Sequence, residues 1–168
     1  ANNISGGRRT KFSITRYGNV FGSRGSVVDF FKNKIKNNEK FLPITDLKMT
    51  RFWLNINKGV EFTFKNLIRM QGGEIFIPKI PSIKIVDLAF SLKNNIKVKE
   101  VGLRPGEKKH EEMISVNDSF NTVEFKKHYV IVPNSENYAL TLENYMKIKK
   151  NLKKVKDDFV YNSNTNPD

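Results

Sequence analysis

Arg16-Tyr17-Gly18-Asn19-Val20-Phe21-Gly22-Ser23-Arg24-Gly25-Ser26 reads as the link between a short apolar strand and an amphipathic helix, made through a glycine-rich turn. A strand that ends in such a turn and hands over to a helix N-terminus is where α/β proteins hold anionic ligands. The unpaired N–H groups and the positive end of the helix dipole point there. The turn lies close to residue 1, with no pair of strands before it. This carries the expectation that the first half of the protein is absent from the chain.

Working outward, Asn2, Asn3, Gly6 and Gly7 read as a loop after a lost helix. Phe12, Ile14 and Tyr17 fall in a β-prone run, a strand of about six residues. Ser26 is placed to cap a helix whose apolar positions Val27, Phe30, Phe31 and Ile35 recur three to four apart, ended by Asn37-Asn38-Glu39. Phe41 to Ile44 is a short extended piece held by Pro43. Asn57 is the expected N-cap of a second helix, with Val60, Phe64, Leu67 and Ile68 on one face and Gly72-Gly73 as its stop.

The continuous run Ile75-Phe76-Ile77 suits a strand covered on both faces. Ile85, Leu88, Ala89 and Leu92 mark a third helix, and Val98 to Val101 a strand leading into the turn Gly102-Leu103-Arg104-Pro105-Gly106-Glu107. Tyr129 to Val132 is a further strand, closed by Pro133. Thr141 to Asp157 is expected as a solvated helix packed on the body through Tyr145, Ile148, Leu152 and Val155, rather than as a membrane-surface helix. Strand–helix alternation without an internal repeat gives the class α/β.

With 168 residues, 38% of them hydrophobic, the chain can bury a core. No apolar run approaches the roughly 20 residues of a membrane span. The absence of cysteine excludes disulfides, thiolate metal sites and Cys nucleophiles, and fits a reducing, cytoplasmic setting. The net charge of +13 raises a nucleic-acid-binding module as one reading. Against it, the charge is carried by 23 Lys and only 7 Arg, and Lys, Asn and Ile share AT-rich codons. The Lys residues follow no single face interleaved with aromatics, so a solvated Lys surface is the simpler account and no nucleic-acid partner is expected.

Three points along the chain could meet an anion: Asn19, Arg51 and Arg104, each just after an apolar strand or extended run. Ligands of open α/β sheets collect beyond the carboxyl ends of strands, and the planar Arg fork grips phosphate oxygens in a way Lys does not. From spacing alone, surface ion pairs remain an open alternative for both Arg residues. Other motifs fail. Gly22-Ser23-Arg24-Gly25 lacks the third glycine and the later acidic residue of a dinucleotide fingerprint. Gly106-Glu107-Lys108-Lys109 is not a P-loop, and His110-Glu111-Glu112 is followed by Ile114 where a zincin needs its second His.

Five blocks in order nonetheless resemble one family. They are Arg16-Tyr17-Gly18-Asn19-Val20; Gly22-Ser23-Arg24-Gly25-Ser26-Val27; Thr45-Asp46 with Met49-Thr50-Arg51-Phe52-Trp53; Gly72-Gly73-Glu74-Ile75-Phe76; and Gly102-Leu103-Arg104-Pro105-Gly106-Glu107-Lys108. The family is that of the inverting UDP-N-acetylglucosamine 4,6-dehydratases, extended short-chain dehydrogenases/reductases that open nonulosonic-acid and flagellin-sugar synthesis. The resemblance runs from Ala1 to about Val132 and weakens beyond. Arg24 and Trp53 favour the soluble dehydratase over the related membrane-attached polysaccharide-biosynthesis enzymes. A fragment of such a membrane-attached dehydratase, or of a UDP-sugar 4-epimerase, is the alternative.

The resemblance implies the carboxyl-terminal half of an extended Rossmann-type enzyme, with two strands of the parallel sheet and a small α/β substrate-binding domain. Residues 1–26 would end the Rossmann domain and 27–54 would belong to the substrate domain. Residues 55–81 would return to the Rossmann domain, 82–135 would complete the substrate domain, and 136–168 would form a terminal helix and tail. The glycine-rich cofactor loop and the catalytic Tyr-x-x-x-Lys would lie upstream, leaving no catalytic residue here.

The complete enzyme would use NADP, or NAD, and a UDP-sugar. Hydride would leave C4, water would be lost from C6, hydride would return to C6, and C5 would be reprotonated with inversion. It would act as a homo-oligomer, with no membrane contact. Tyr17 and Gly18 would line the nicotinamide side. Asn19, Arg51 and Arg104 would hold the diphosphate, Glu107 the ribose hydroxyls, and Val27 with Leu42 and Ile44 the uracil. An isolated half should leave several hundred square ångströms of apolar surface exposed, on the order of a surface patch that marks an interface.

Overall fold

The structure is a computed structural model of the 168-residue chain, and it describes residues 10–133 and 140–166. The loop expected over residues 1–7 lies outside the described residues. In chain order the elements are β1 (Ile14–Thr15), β2 (Asn19–Phe21), α1 (Val27–Lys36), β3 (Phe41–Ile44), β4 (Thr50–Asn55), α2 (Ile56–Arg69) and β5 (Ile75–Pro78). They continue with β6 (Ser82–Lys84), α3 (Ile85–Leu92), β7 (Lys97–Glu100), β8 (Glu112–Ile114), α4 (Val116–Ser119), β9 (Thr122–Glu124), β10 (His128–Ile131), α5 (Leu142–Ile148), β11 (Lys153–Lys154) and β12 (Tyr161–Asn162). The α/β class therefore holds. Among the described residues no helix is long and apolar enough to cross a membrane.

The chain divides into two compact units, each built from separated segments. The first comprises residues 1–17, 60–79 and 113–161, and the second 18–59, 80–112 and 162–168. Residues 113–133 thus group with the first unit, where the sequence reading assigned 82–135 to one domain. The physical cause is strand pairing: β10 runs antiparallel to β5 with Val130 opposite Phe76, and β9 pairs onto β10.

In the first unit the sheet order is β1-β5-β10-β9-β11. β1 and β5 are parallel, Ile14 beside Ile75, as expected for two strands of a parallel sheet, and the Arg16 N–H extends the ladder to the Phe76 carbonyl at 2.9 Å. Phe76, Val123, Val130, Val132, Leu140 and Tyr145 form its core, which Phe62 of α2 joins. Each large side chain buried this way contributes about 1.5–3 kcal/mol. Glu74, fully buried, accepts from Ser13 Oγ and from the Gln71 and Gly72 N–H groups, all at 2.7 Å. It fastens the exit of α2 to the entry of β5.

Two features of this unit depart from what the sequence pattern alone displays. The apolar stripe of α2 points to solvent: Val60, Phe64, Leu67 and Ile68 are 48, 63, 60 and 87% exposed. The buried face instead carries Phe62, Asn66 and Arg69. Asn66 Nδ2 donates to Thr15 Oγ1 at 3.2 Å, and the Arg69 guanidinium lies over the Phe62 and Phe76 rings. The helix over Thr141 to Asp157 is likewise only Leu142–Ile148, capped by Thr141. Lys149 turns extended and Asn151 takes φ 60°, so Leu152 and Val155 lie beyond the helix, flanking β11.

The second unit holds the sheet β2-β4-β6 and the pair β3-β7. β2 is parallel to β4 with Asn19 beside Trp53, so Asn19 sits in a strand, not in the turn where it was expected. The turn itself is Gly22 to Gly25, with both glycines at positive φ. Ser26 caps α1 as read, accepting from the Asp29 N–H. α2 is entered two residues earlier than expected: Asn57 is inside it, and Asn55 Oδ1 accepts the Asn57 N–H. Val28 and Phe31 of α1, Leu42, Ile44, Met49, Trp53 and the Ile85, Leu88 and Ala89 face of α3 make one core.

Candidate functional site: an anion-facing cavity at the start of α1

β4 delivers Thr50 and Arg51 to the edge of the second unit's core, and the turn after β7 brings Arg104 and Glu107 beside them. A cavity of about 330 Å³ lies there. Gly25, Val27, Phe30 and Phe31 of the turn and first turns of α1 line it, with Asn19 from β2, Pro43, Ile44 and Thr45 from the end of β3, and Met49, Arg51, Ile85, Arg104 and Glu107. It thus combines the amino end of a ten-residue helix, two guanidinium groups, one carboxamide and an apolar side. This is the donor set that a phosphate-bearing ligand with an apolar or aromatic portion requires.

Six of the nine residues singled out from the sequence line this one cavity: Asn19, Val27, Ile44, Arg51, Arg104 and Glu107. Leu42 does not; it is fully buried in the core, on the same face of β3 as Ile44 but one step further from the cavity end of the strand. Tyr17 belongs to the first unit, and Gly18 is not among the lining residues.

The two arginines differ. Arg51 is held by its own surroundings: Nη1 donates to the carbonyls of Thr50 at 2.7 Å and Lys109 at 3.0 Å, and Nη2 to that of Lys108 at 2.7 Å. Glu111 lies 3.7 Å from its Nε and Glu107 3.9 Å from Nη2, and the side chain is only 12% exposed. Its fork is thus already engaged by backbone carbonyls, and it is nearly buried beside two carboxylates. Arg104 is exposed, and among the described residues its guanidinium has no carboxylate partner. Glu107 accepts the Arg104 N–H at 3.2 Å, closing the turn that presents that side chain.

Around Arg51 the segment 107–111 is pinned in place. Lys109 Nζ meets Asp46 at 2.8 Å, and this hydrogen bond, with the Lys48 N–H, holds the Asp46 carboxyl below its ordinary range. Glu111 Oε2 accepts the Phe52 N–H at 3.2 Å. His110 Nδ1 lies 2.8 Å from Thr50 Oγ1, and burial followed by the Lys109 charge pushes its pKa down. Thr50 Oγ1 is also 2.7 Å from Ser163 Oγ. Glu111 and Ser163 escaped the sequence reading. Glu111 was weighed only within a zincin pattern, and Ser163 sits in a polar tail with no local signal.

Among the described residues no group of three or more His, Asp and Glu side chains gathers as a metal site. Gly18 has a packing reason of its own, since a Cβ there would stand 2.4 Å from Phe52 Cβ.

The chain is an α/β protein of extended Rossmann type with two arginines, a carboxamide and a helix start around one cavity. The chain belongs to the polysaccharide biosynthesis protein family, whose profile matches residues 1–133. It is 52% identical to an inverting UDP-N-acetylglucosamine 4,6-dehydratase of Campylobacter jejuni subsp. jejuni, over 99% of this chain and 50% of that protein. That alignment runs on through the tail, whereas the family profile ends at residue 133, close to Val132 where the resemblance was expected to weaken. A UDP-glucose 4-epimerase of Rickettsia bellii is 37% identical over 73% of this chain and 37% of its own length. In three dimensions the chain matches Pen from Bacillus thuringiensis with a TM-score of 0.79 and 34% identity, covering 98% of this chain and 49% of that one. The chain spans about half the length of the curated dehydratases it matches.

Proposed function

We propose that this chain is the nucleotide-sugar-binding, carboxyl-terminal part of a C5-inverting UDP-N-acetylglucosamine 4,6-dehydratase. The observation that carries the reading is the single cavity lined by Asn19, Arg51, Arg104 and Glu107 at the start of α1. The 52% identity to the Campylobacter enzyme supports this reaction over the epimerase, whose match is both weaker and shorter.

In this reading the diphosphate lies across the α1 N-terminus. Arg51 meets it as a fixed cation, and Arg104 closes on it from the exposed side. The Asn19 carboxamide donates to an oxygen between them, Glu107 accepts from the ribose hydroxyls, and Val27 with Ile44 contacts the uracil. Leu42 supports Ile44 from the core. The contribution of these residues to the reaction is position: a ligand held at two charged points and one base-binding face cannot rotate, which fixes the sugar ring. NADP or NAD belongs to the proposed reaction as its hydride carrier, and Tyr17 and Gly18 would line the nicotinamide side.

UDP titrated into the chain tests the reading. Saturable binding is expected, together with protection of Arg104 from an arginine-specific reagent. Binding that survives Arg51→Ala and Arg104→Ala unchanged would overturn it.

A further inference from the structure

We propose that Ser163 is a positioning residue for Arg51, so that the tail, not only the cavity lining, sets how this site meets an anion. The inference rests on the reading of the cavity as a UDP-sugar site. Ser163 is almost wholly buried, and its backbone and hydroxyl each bind groups that aim Arg51. Its N–H donates to the Glu111 carbonyl at 2.8 Å, and its Oγ accepts the Glu111 N–H at 2.9 Å. The same hydroxyl donates to the Thr50 carbonyl at 3.2 Å and lies 2.7 Å from Thr50 Oγ1.

Each partner also acts on Arg51. The Thr50 carbonyl accepts Arg51 Nη1, and the Glu111 side chain faces Arg51 Nε while holding the Phe52 N–H. One hydroxyl therefore ties strand β4 to the 108–111 segment on both sides of the guanidinium. Without it, the buried Thr50 carbonyl and the half-buried Glu111 N–H each lose a partner, and both belong to the frame that fixes the Arg51 fork. The tail has a second anchor that touches none of this: Asn166 Nδ2 donates to the Ile80 carbonyl at 2.9 Å. Asn166 thus separates holding the tail from aiming the arginine.

The test compares UDP dissociation constants for the full chain and for Ser163→Ala, Asn166→Ala, Arg51→Ala and the Arg51→Ala/Ser163→Ala pair. Ser163→Ala is expected to weaken UDP about tenfold, and to add nothing once Arg51 is gone. Asn166→Ala should leave affinity within about twofold. An Arg51 Nε–H signal that exchanges faster in Ser163→Ala, but not in Asn166→Ala, is the independent signature. Equal affinity of Ser163→Ala and the parent chain, or an undiminished loss in the Arg51→Ala background, overturns the proposal. If UDP binds neither the parent chain nor any variant, the cavity reading falls. The Nε–H exchange then decides the positioning role by itself.

Discussion

Gly18 and Phe52 leave no space for a side chain between them: a Cβ on Gly18 would stand 2.4 Å from Phe52 Cβ and 2.5 Å from the Phe52 carbonyl oxygen. That approach lets β2 run beside β4 and sets Asn19 opposite Trp53, at the cavity. Gly18→Ala must separate the strands. It is expected to cost about 1–3 kcal/mol, as overpacking does elsewhere, and to weaken UDP binding by displacing Asn19. Urea midpoints and a UDP titration of the same variant check both.

Arg51 and Arg104 should separate in their effects. Arg51 donates to three carbonyls, so Arg51→Ala removes three charge-assisted hydrogen bonds at once and is expected to cost about 1–3 kcal/mol of stability as well as UDP affinity. Arg104 is exposed, so Arg104→Ala should change stability by no more than about 0.5 kcal/mol while lowering affinity. Thermal melts paired with calorimetric titrations distinguish the two.

His128 predicts an acid-side loss of stability. It stacks on Phe125 at 4.5 Å, and burial, then the charges of Arg69 and Lys79, pushes its pKa from 6.5 down to about 3. Between those values the unfolded chain binds a proton that folded His128 refuses. Stability is therefore full above pH 6.5 and falls as pH drops towards 3, by up to about 1.4 kcal/mol per pH unit. His128→Phe keeps an aromatic ring against Phe125 and should flatten this slope in urea melts taken across that range.

Glu74 accepts three hydrogen bonds while fully buried, and Glu74→Gln turns one acceptor into a donor facing N–H groups. A loss of about 2–4 kcal/mol is expected, read as a lowered urea midpoint.

The exposed stripe of Val60, Phe64, Leu67 and Ile68 predicts concentration-dependent self-association of the chain. Phe64→Lys with Ile68→Lys should return it to a monomer in sedimentation runs, with stability changed by no more than about 0.5 kcal/mol.

Much of the second unit was legible because its signals are local. The three-to-four spacing of Val27, Phe31 and Ile35 with Ser26 as cap gave α1, and Ile85, Leu88 and Ala89 gave α3. α2 misled for the opposite reason. Its apolar stripe is exposed, and its buried face uses Asn66 and Arg69, whose partners Thr15 and Phe76 come from other elements. A helical wheel cannot display partners supplied by another segment. The meeting of Arg51 with Arg104 was open to the residues alone only as one possibility, and the family resemblance made it an expectation. Ser163 was out of reach, since nothing near it in sequence announces a bond to residue 50.

That bond joins positions 113 apart along the polypeptide. A ribosome releases β4 and its arginine long before it releases the serine that steadies them, so this part of the fold ripens in reverse of its order of synthesis. A message truncated just ahead of the Ser163 codon would yield a chain carrying every cavity-lining side chain, yet one whose arginine has lost part of the frame that steadies it.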